Sequence, residues 1–146
     1  MTEIAFHTNV ADPLIYSCRL LRKAYMSGAR VVVTAPAETL ARLDRELWSF
    51  SATDFVPHCH AGAEAQVLSR SPVVLAESLE QLPHLGVLVN LGQEVPAGFE
   101  RFERFFEVVP QQEEGRLAGR RRWKHYQARG YTLKLHDAAA PPTGGG

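Results

Sequence analysis

Two cysteines, Cys18 and Cys59, are all that the 146 residues contain. That is too few for a disulfide-held scaffold in a chain with ample apolar residues for a core, although a bridge between the two is open in principle. No apolar stretch nears the ~18 residues that a membrane span requires. The opening Met-Thr-Glu-Ile-Ala-Phe has neither the basic start nor the apolar run of a secretory signal, so a cytoplasmic protein is expected. Net charge is lacking as well: 16 Lys and Arg balance 16 Asp and Glu, and the chain as a whole has no strong pull toward nucleic acid or membrane.

Glycine is missing where phosphate binding would need it. The turn after the first expected strand reads His7-Thr-Asn-Val-Ala-Asp-Pro13, and the one after the second reads Thr34-Ala-Pro-Ala37. A phosphate cradle uses glycines and a Lys there so that backbone N–H groups converge on the anion, and Pro36 removes one such N–H. A nucleotide cofactor is therefore not expected. His58-Cys59-His60 is no better as a metal site, because successive strand residues face opposite ways and no second cluster completes a tetrahedron. These three read as polar loop residues. Cys18 falls on an apolar helical stripe and reads as a small core residue. With no Gly-x-Ser-x-Gly elbow and no paired carboxylates, catalysis is not expected either.

What is present alternates between strand and helix. Residues 4–8 read as a strand and 9–12 as a turn. Asp12 suits a helix N-cap and Pro13 the first helical position, where its missing N–H needs no partner. Leu14, Cys18, Leu21 and Tyr25 give that helix a buried face, and Gly28 ends it. Residues 30–34, 73–75 and 87–91 read as further strands, with a second helix from Pro36 carrying Leu40, Leu43 and Leu47 inward. A loop is expected around 49–53. Phe99, Phe102, Phe105 and Phe106 suggest a short amphipathic helix running into Val108 and Val109. A long helix over about 111–129, stopped by Gly130, then leads to a final edge strand over 131–135. The pattern predicts an α/β, Rossmann-like three-layer sandwich with a mostly parallel central sheet. It is expected as one domain over 1–136, with 137–146 (Pro- and Gly-rich) a disordered tail.

Two segments look like binding surfaces. The first runs from Leu47-Trp48 to Phe55-Val56-Pro57-His58. Composition alone favours Trp48 and Phe55 as caps on the core, yet Trp, Phe and Pro in a loop are also the residue types that anchor interfaces. The second is the long helix. Residues 111–131 hold six basic groups against two acidic ones, a local charge of +4 that the remaining chain balances with −4. Arg116, Arg120 and Lys124 stack at i, i+4 and i+8, with Trp123 beside them. Three like charges on one stripe repel unless something acidic binds. An acidic peptide with a hydrophobic end fits cations beside an apolar pocket, and nucleic acid stacking on Trp123 is the rival ligand.

In these same segments the chain resembles the chi subunit family of bacterial DNA polymerase III. Leu47-Trp48…Phe55-Val56-Pro57-His58…Ala61-Gly62 is similar to the family's middle signature. Arg122-Trp123-Lys124-His125-Tyr126…Gly130-Tyr131 is similar to its C-terminal one, with Trp123 where a tyrosine is common. The resemblance extends to about Leu135. It implies a Rossmann-like fold without catalysis or cofactor and two protein partners. One is the psi subunit of the clamp-loader assembly, met by Trp48, Phe55, Val56 and Pro57. The other is the acidic, phenylalanine-ended C-terminal tail of single-stranded DNA-binding protein, met by Val109, Arg120, Trp123 and Lys124, so that contact with DNA is indirect. The alternative is a nucleic-acid-binding module that uses the basic helix 111–130 directly.

Overall fold

Seven strands, all parallel, form one sheet in the order β3-β4-β2-β5-β6-β1-β7. The computed structural model describes residues 1–49 and 55–139. The elements are β1 (Glu3–Val10), α1 (Pro13–Met26), β2 (Val31–Thr34), α2 (Ala37–Ser49), β3 (His58–His60), α3 (Ala65–Arg70), β4 (Val73–Ala76), β5 (Val87–Asn90), β6 (Arg104–Pro110), α4 (Glu113–Ala128) and β7 (Leu133–Asp137). The expected three-layer α/β architecture is present. Most of the expected loop at 49–53 lies outside the described residues, as do residues 140–146 of the tail expected over 137–146; Asp137 itself belongs to β7.

Strand alternation sorts the core into two layers. Val31 and Val33 of β2, Val73 and Leu75 of β4 and Val108 of β6 pack under Cys18 and Leu21 of α1 and Leu40, Leu43 and Leu47 of α2. On the opposite face Val32, Val74, Leu88, Phe105 and Phe6 meet Tyr126 of α4. Buried on both faces, β2, β4 and β5 are apolar up to their carboxyl ends, where β2 finishes in Thr34 and β5 in Asn90, as suits parallel strands between helices. The two cysteines are buried and free, one in each layer.

Local signals place most helix ends. Asp12 Oδ1 accepts from the N–H groups of Leu14 at 3.1 Å and Ile15 at 3.2 Å, as an N-cap should. Gly130, at φ +84°, takes the left-handed position after α4, and the Tyr131 N–H reaches back to the Tyr126 carbonyl.

Three expectations are corrected. The phenylalanine-rich segment is not an amphipathic helix: after a 3-10 turn at Phe99–Arg101 it is strand β6. Phe105, Glu107 and Val109 face α4 while Phe106 and Val108 face α1, a period of two that the helical reading of the four phenylalanines overlooked. His58-Cys59-His60 is not a loop but edge strand β3, with Cys59 buried. The last strand begins at Leu133 rather than at 131 and ends at Asp137, and helix α3 had no counterpart in the sequence reading.

Candidate functional site: a basic cleft and an exposed aromatic stack

β1 and β6 lie side by side at the place where the chain reverses direction across the sheet. From β1 it leaves through α1 toward β2, and from β6 it leaves through α4 toward β7, on the opposite face. Crevices at the carboxyl ends of such strands are where open parallel sheets bind ligands. A cleft of about 540 Å³ lies there. Its floor comes from Phe6, Val109 and Pro110, and Arg116, Arg120 and Trp123 of α4 and Leu135 of β7 also line it. Trp123 is held by an edge-on contact with Phe6, ring centroids 5.0 Å apart. Of the four residues expected at a tail-binding site, the structure brings Val109, Arg120 and Trp123 into this cleft. Lys124 is exposed on the same helix and is not part of the lining, while Arg116 is.

The helix comes this close because its contact face is glycine. A Cβ on Gly119 would stand 2.7 Å from Val109 Cγ1, and one on Gly115 would stand 2.2 Å from Pro110 Cγ. Spaced four residues apart, the two fall on one face of α4 and let it settle on the end of β6.

At the other end of the sheet, Trp48 lies in the last turn of α2 and Phe55 precedes β3. Their rings stack at 4.8 Å with planes 28° apart, and they are 63% and 45% exposed. They do not cap the core, which is the correction to the reading from composition. Pro57 is half-buried. Val56 is 2% exposed and packed with Leu40, Leu43 and Leu47, so it anchors the segment from inside rather than facing outward.

Comparison with known proteins shows the family. The family model described as "DNA polymerase III chi subunit, HolC" matches residues 1–134. The chain belongs to the chi subunit family of DNA polymerase III. A relative from Pseudomonas aeruginosa named DNA polymerase III subunit chi is 33% identical over 141 residues, covering 93% of this chain and 96% of its own length. The chi subunits of Haemophilus influenzae and Escherichia coli are 27% and 28% identical, covering 83% and 80% of this chain and 84% and 79% of their own lengths.

Between α4 and the carboxyl ends of β5 and β6 this chi-family chain holds a polar cluster that sequence reasoning missed. Glu107 of β6 is fully buried. It pairs with Arg122 Nε at 2.9 Å and accepts from Tyr126 Oη at 2.6 Å and from Asn90 Nδ2 at 3.1 Å. Arg122 Nη1 also donates to the Gln93 carbonyl at 3.0 Å, tying α4 to the loop after β5. Burial pushes the Glu107 carboxyl above its usual range, against the opposing pull of Arg122, Tyr126 and Asn90. The signal was a lone acid in the strand Phe105-Phe106-Glu107-Val108-Val109 together with an Arg off the basic stripe. Cys18 offers no chemistry: burial, with Glu46 and Asp12 adding, raises its thiol to about 11. Among the described residues no group of three metal-ligating side chains converges, and no helix is long and apolar enough to cross a membrane.

Proposed function

We propose that this chain is a non-catalytic adaptor in DNA replication, joining the clamp-loader assembly to single-stranded DNA-binding protein. As a member of the chi family it is an accessory subunit of DNA polymerase III rather than the catalytic one. The Trp48–Phe55 stack docks the psi subunit, with Val56 and Pro57 holding the segment in place. The cleft takes the acidic C-terminal tail of single-stranded DNA-binding protein. Arg116 and Arg120 meet its carboxylates, and Phe6, Val109, Trp123 and Leu135 receive its terminal phenylalanine. Lys124 adds attraction from outside the lining, and DNA is contacted only through the bound tail. The work is done in the cytoplasm, where replication takes place.

The observation that carries this reading is the cleft itself, which joins two guanidinium groups to an apolar floor at the β1/β6 reversal point. Such a site suits a ligand with carboxylates at one end and a ring at the other. Anisotropy titration with a labelled tail peptide, intact and lacking its terminal Phe, tests it. Contacts this exposed are worth on the order of 1 kcal/mol each, so a micromolar Kd is expected. Equal affinity for the two peptides would turn the reading toward direct nucleic-acid binding by the basic helix. That alternative also calls for a steep salt dependence without any partner protein. It is weakened by Arg122, one of the six cations of residues 111–131, which is buried against Glu107.

A further inference from the structure

The exposed stack of Trp48 and Phe55 does not rest on apolar core. It rests on a histidine. The His58 ring lies 5.5 Å from Trp48, edge-on, and 5.7 Å from Phe55. Its side chain is 1% exposed, and both ring nitrogens face oxygen: Nδ1 is 2.8 Å from the Val56 carbonyl and Nε2 is 2.8 Å from Asp44 Oδ1. Asp44 and Trp48 are four residues apart on α2, so the carboxylate and the indole project from one face of the helix. His58 fills the space between them. His60, 53% exposed, comes within 3.9 Å of the same carboxylate.

Two exposed aromatic side chains ordinarily sample several rotamers, and ordering them on binding costs conformational entropy. A ring clamped at both nitrogens removes that freedom beforehand. We propose that Asp44 and His58 are positioning residues for the aromatic docking surface, with His58 seating the Trp48–Phe55 stack and Asp44 fixing the imidazole by its hydrogen bond. This rests on the reading of that stack as the psi-binding surface. It adds to it a pair of residues that set affinity while remaining beneath the contact. It also gives the histidine of Phe55-Val56-Pro57-His58 a task that neither a metal nor catalysis supplies.

The test uses the full chain with Trp123→Phe, which leaves Trp48 as the one tryptophan. Near-ultraviolet circular dichroism and emission of Trp48, urea midpoint and affinity for the psi subunit of the same genome are measured for Asp44→Ala, Asp44→Asn, His58→Ala and Trp48→Ala. Asp44→Ala and His58→Ala are expected to change the Trp48 signal and to weaken psi binding about tenfold. Asp44→Asn keeps an oxygen that accepts from Nε2 but loses the carboxylate charge facing a ring whose two nitrogens both meet acceptors, so it is expected to lie between Asp44→Ala and the parent in both. The two Asp44 variants decide the matter if His58→Ala does not fold. An unchanged Trp48 signal in Asp44→Ala overturns the proposal, and so does Asp44→Asn behaving like Asp44→Ala. If Trp48→Ala binds psi as tightly as the parent, the docking reading has failed. The Trp48 signal still decides whether the pair positions the stack.

Discussion

Arg122 and Glu107 meet 2.9 Å apart with the arginine side chain 3% exposed and the glutamate wholly buried. An ion pair so placed contributes little by existing, because desolvating both charges offsets their attraction, but breaking it strands one charge in the core. Arg122→Met is expected to lower stability by about 3–5 kcal/mol in urea unfolding. Adding Glu107→Gln should cost less than the sum of the two single changes. Strict additivity would show that the pair does not act as a unit.

Gly119 sets how deeply α4 sits on β6. Gly119→Ala puts a methyl 2.7 Å from a γ-carbon of buried Val109, a side chain with little freedom to move aside. Destabilisation of about 1–3 kcal/mol is expected, as for other overpacked contacts. Because the same contact forms the cleft floor, tail-peptide affinity should fall along with the thermal midpoint. A variant that lost stability but kept the parent's affinity would separate the floor from the site.

Within the cleft the two expected cations are not equivalent. Arg120 lines it and Lys124 does not. Arg120→Ala should therefore weaken the tail peptide by on the order of 1 kcal/mol, and Lys124→Ala by less. Lys124→Glu should exceed Lys124→Ala, since repulsion replaces attraction. Peptide anisotropy at two salt concentrations checks the order.

Trp48 and Phe55 are exposed, so truncating them removes little from the core. Phe55→Ala is expected to leave the urea midpoint nearly unchanged while costing ~2 kcal/mol or more in psi binding, measured by calorimetry. Unfolding of the variant would instead mark the ring as structural.

His7 gives the fold a response to acid. Its ring contacts Tyr16 Oη through Nδ1 and lies beside His136. Burial, followed by repulsion from His136 and Lys23, lowers its pKa from 6.5 to about 4. The unfolded chain then holds the extra proton first, so stability is full above about pH 6.5 and falls as pH drops toward 4. Thermal midpoints of His7→Phe should show a shallower slope across that window. The difference should not exceed about 2 kcal/mol, since solvent screens a partly exposed ring. Some slope remains, because burial lowers the pKa of His84 as well.

Much of this architecture was legible because its signals are local. The Asp12 cap, Gly130 and the valine runs of β2 and β5 depend on neighbours a few residues away. So do the cationic stripe of α4 and its tryptophan. The cleft was legible only in part. Phe6 and Leu135 enter it from strands brought beside α4 by the sheet order, which no window of sequence contains. The Gly115 and Gly119 spacing did carry a signal, since two glycines one turn apart weaken a helix unless something packs against them. Phe99 to Phe106 misled because a cluster of four aromatics fits a helical stripe as readily as it fits a turn followed by a strand. His58 misled because its partner Asp44 lies on another element, 14 residues away.

The place of β1 in the sheet ties folding to the order of synthesis. The first strand made, Glu3–Val10, bonds on one side to Arg104–Pro110 and on the other to Leu133–Asp137. Neither neighbour exists until most of the chain has been translated. During that interval the strand has two open edges and no sheet to join, a state that invites wrong pairings. β2, β4 and β5 all precede β6 and β7 in the chain and pair with one another, so that part of the sheet needs neither of them. The cleft, made from β1, β6, α4 and β7, draws on strands from both ends of the fold, so a nascent chain cannot acquire its basic groove before β7 has been made.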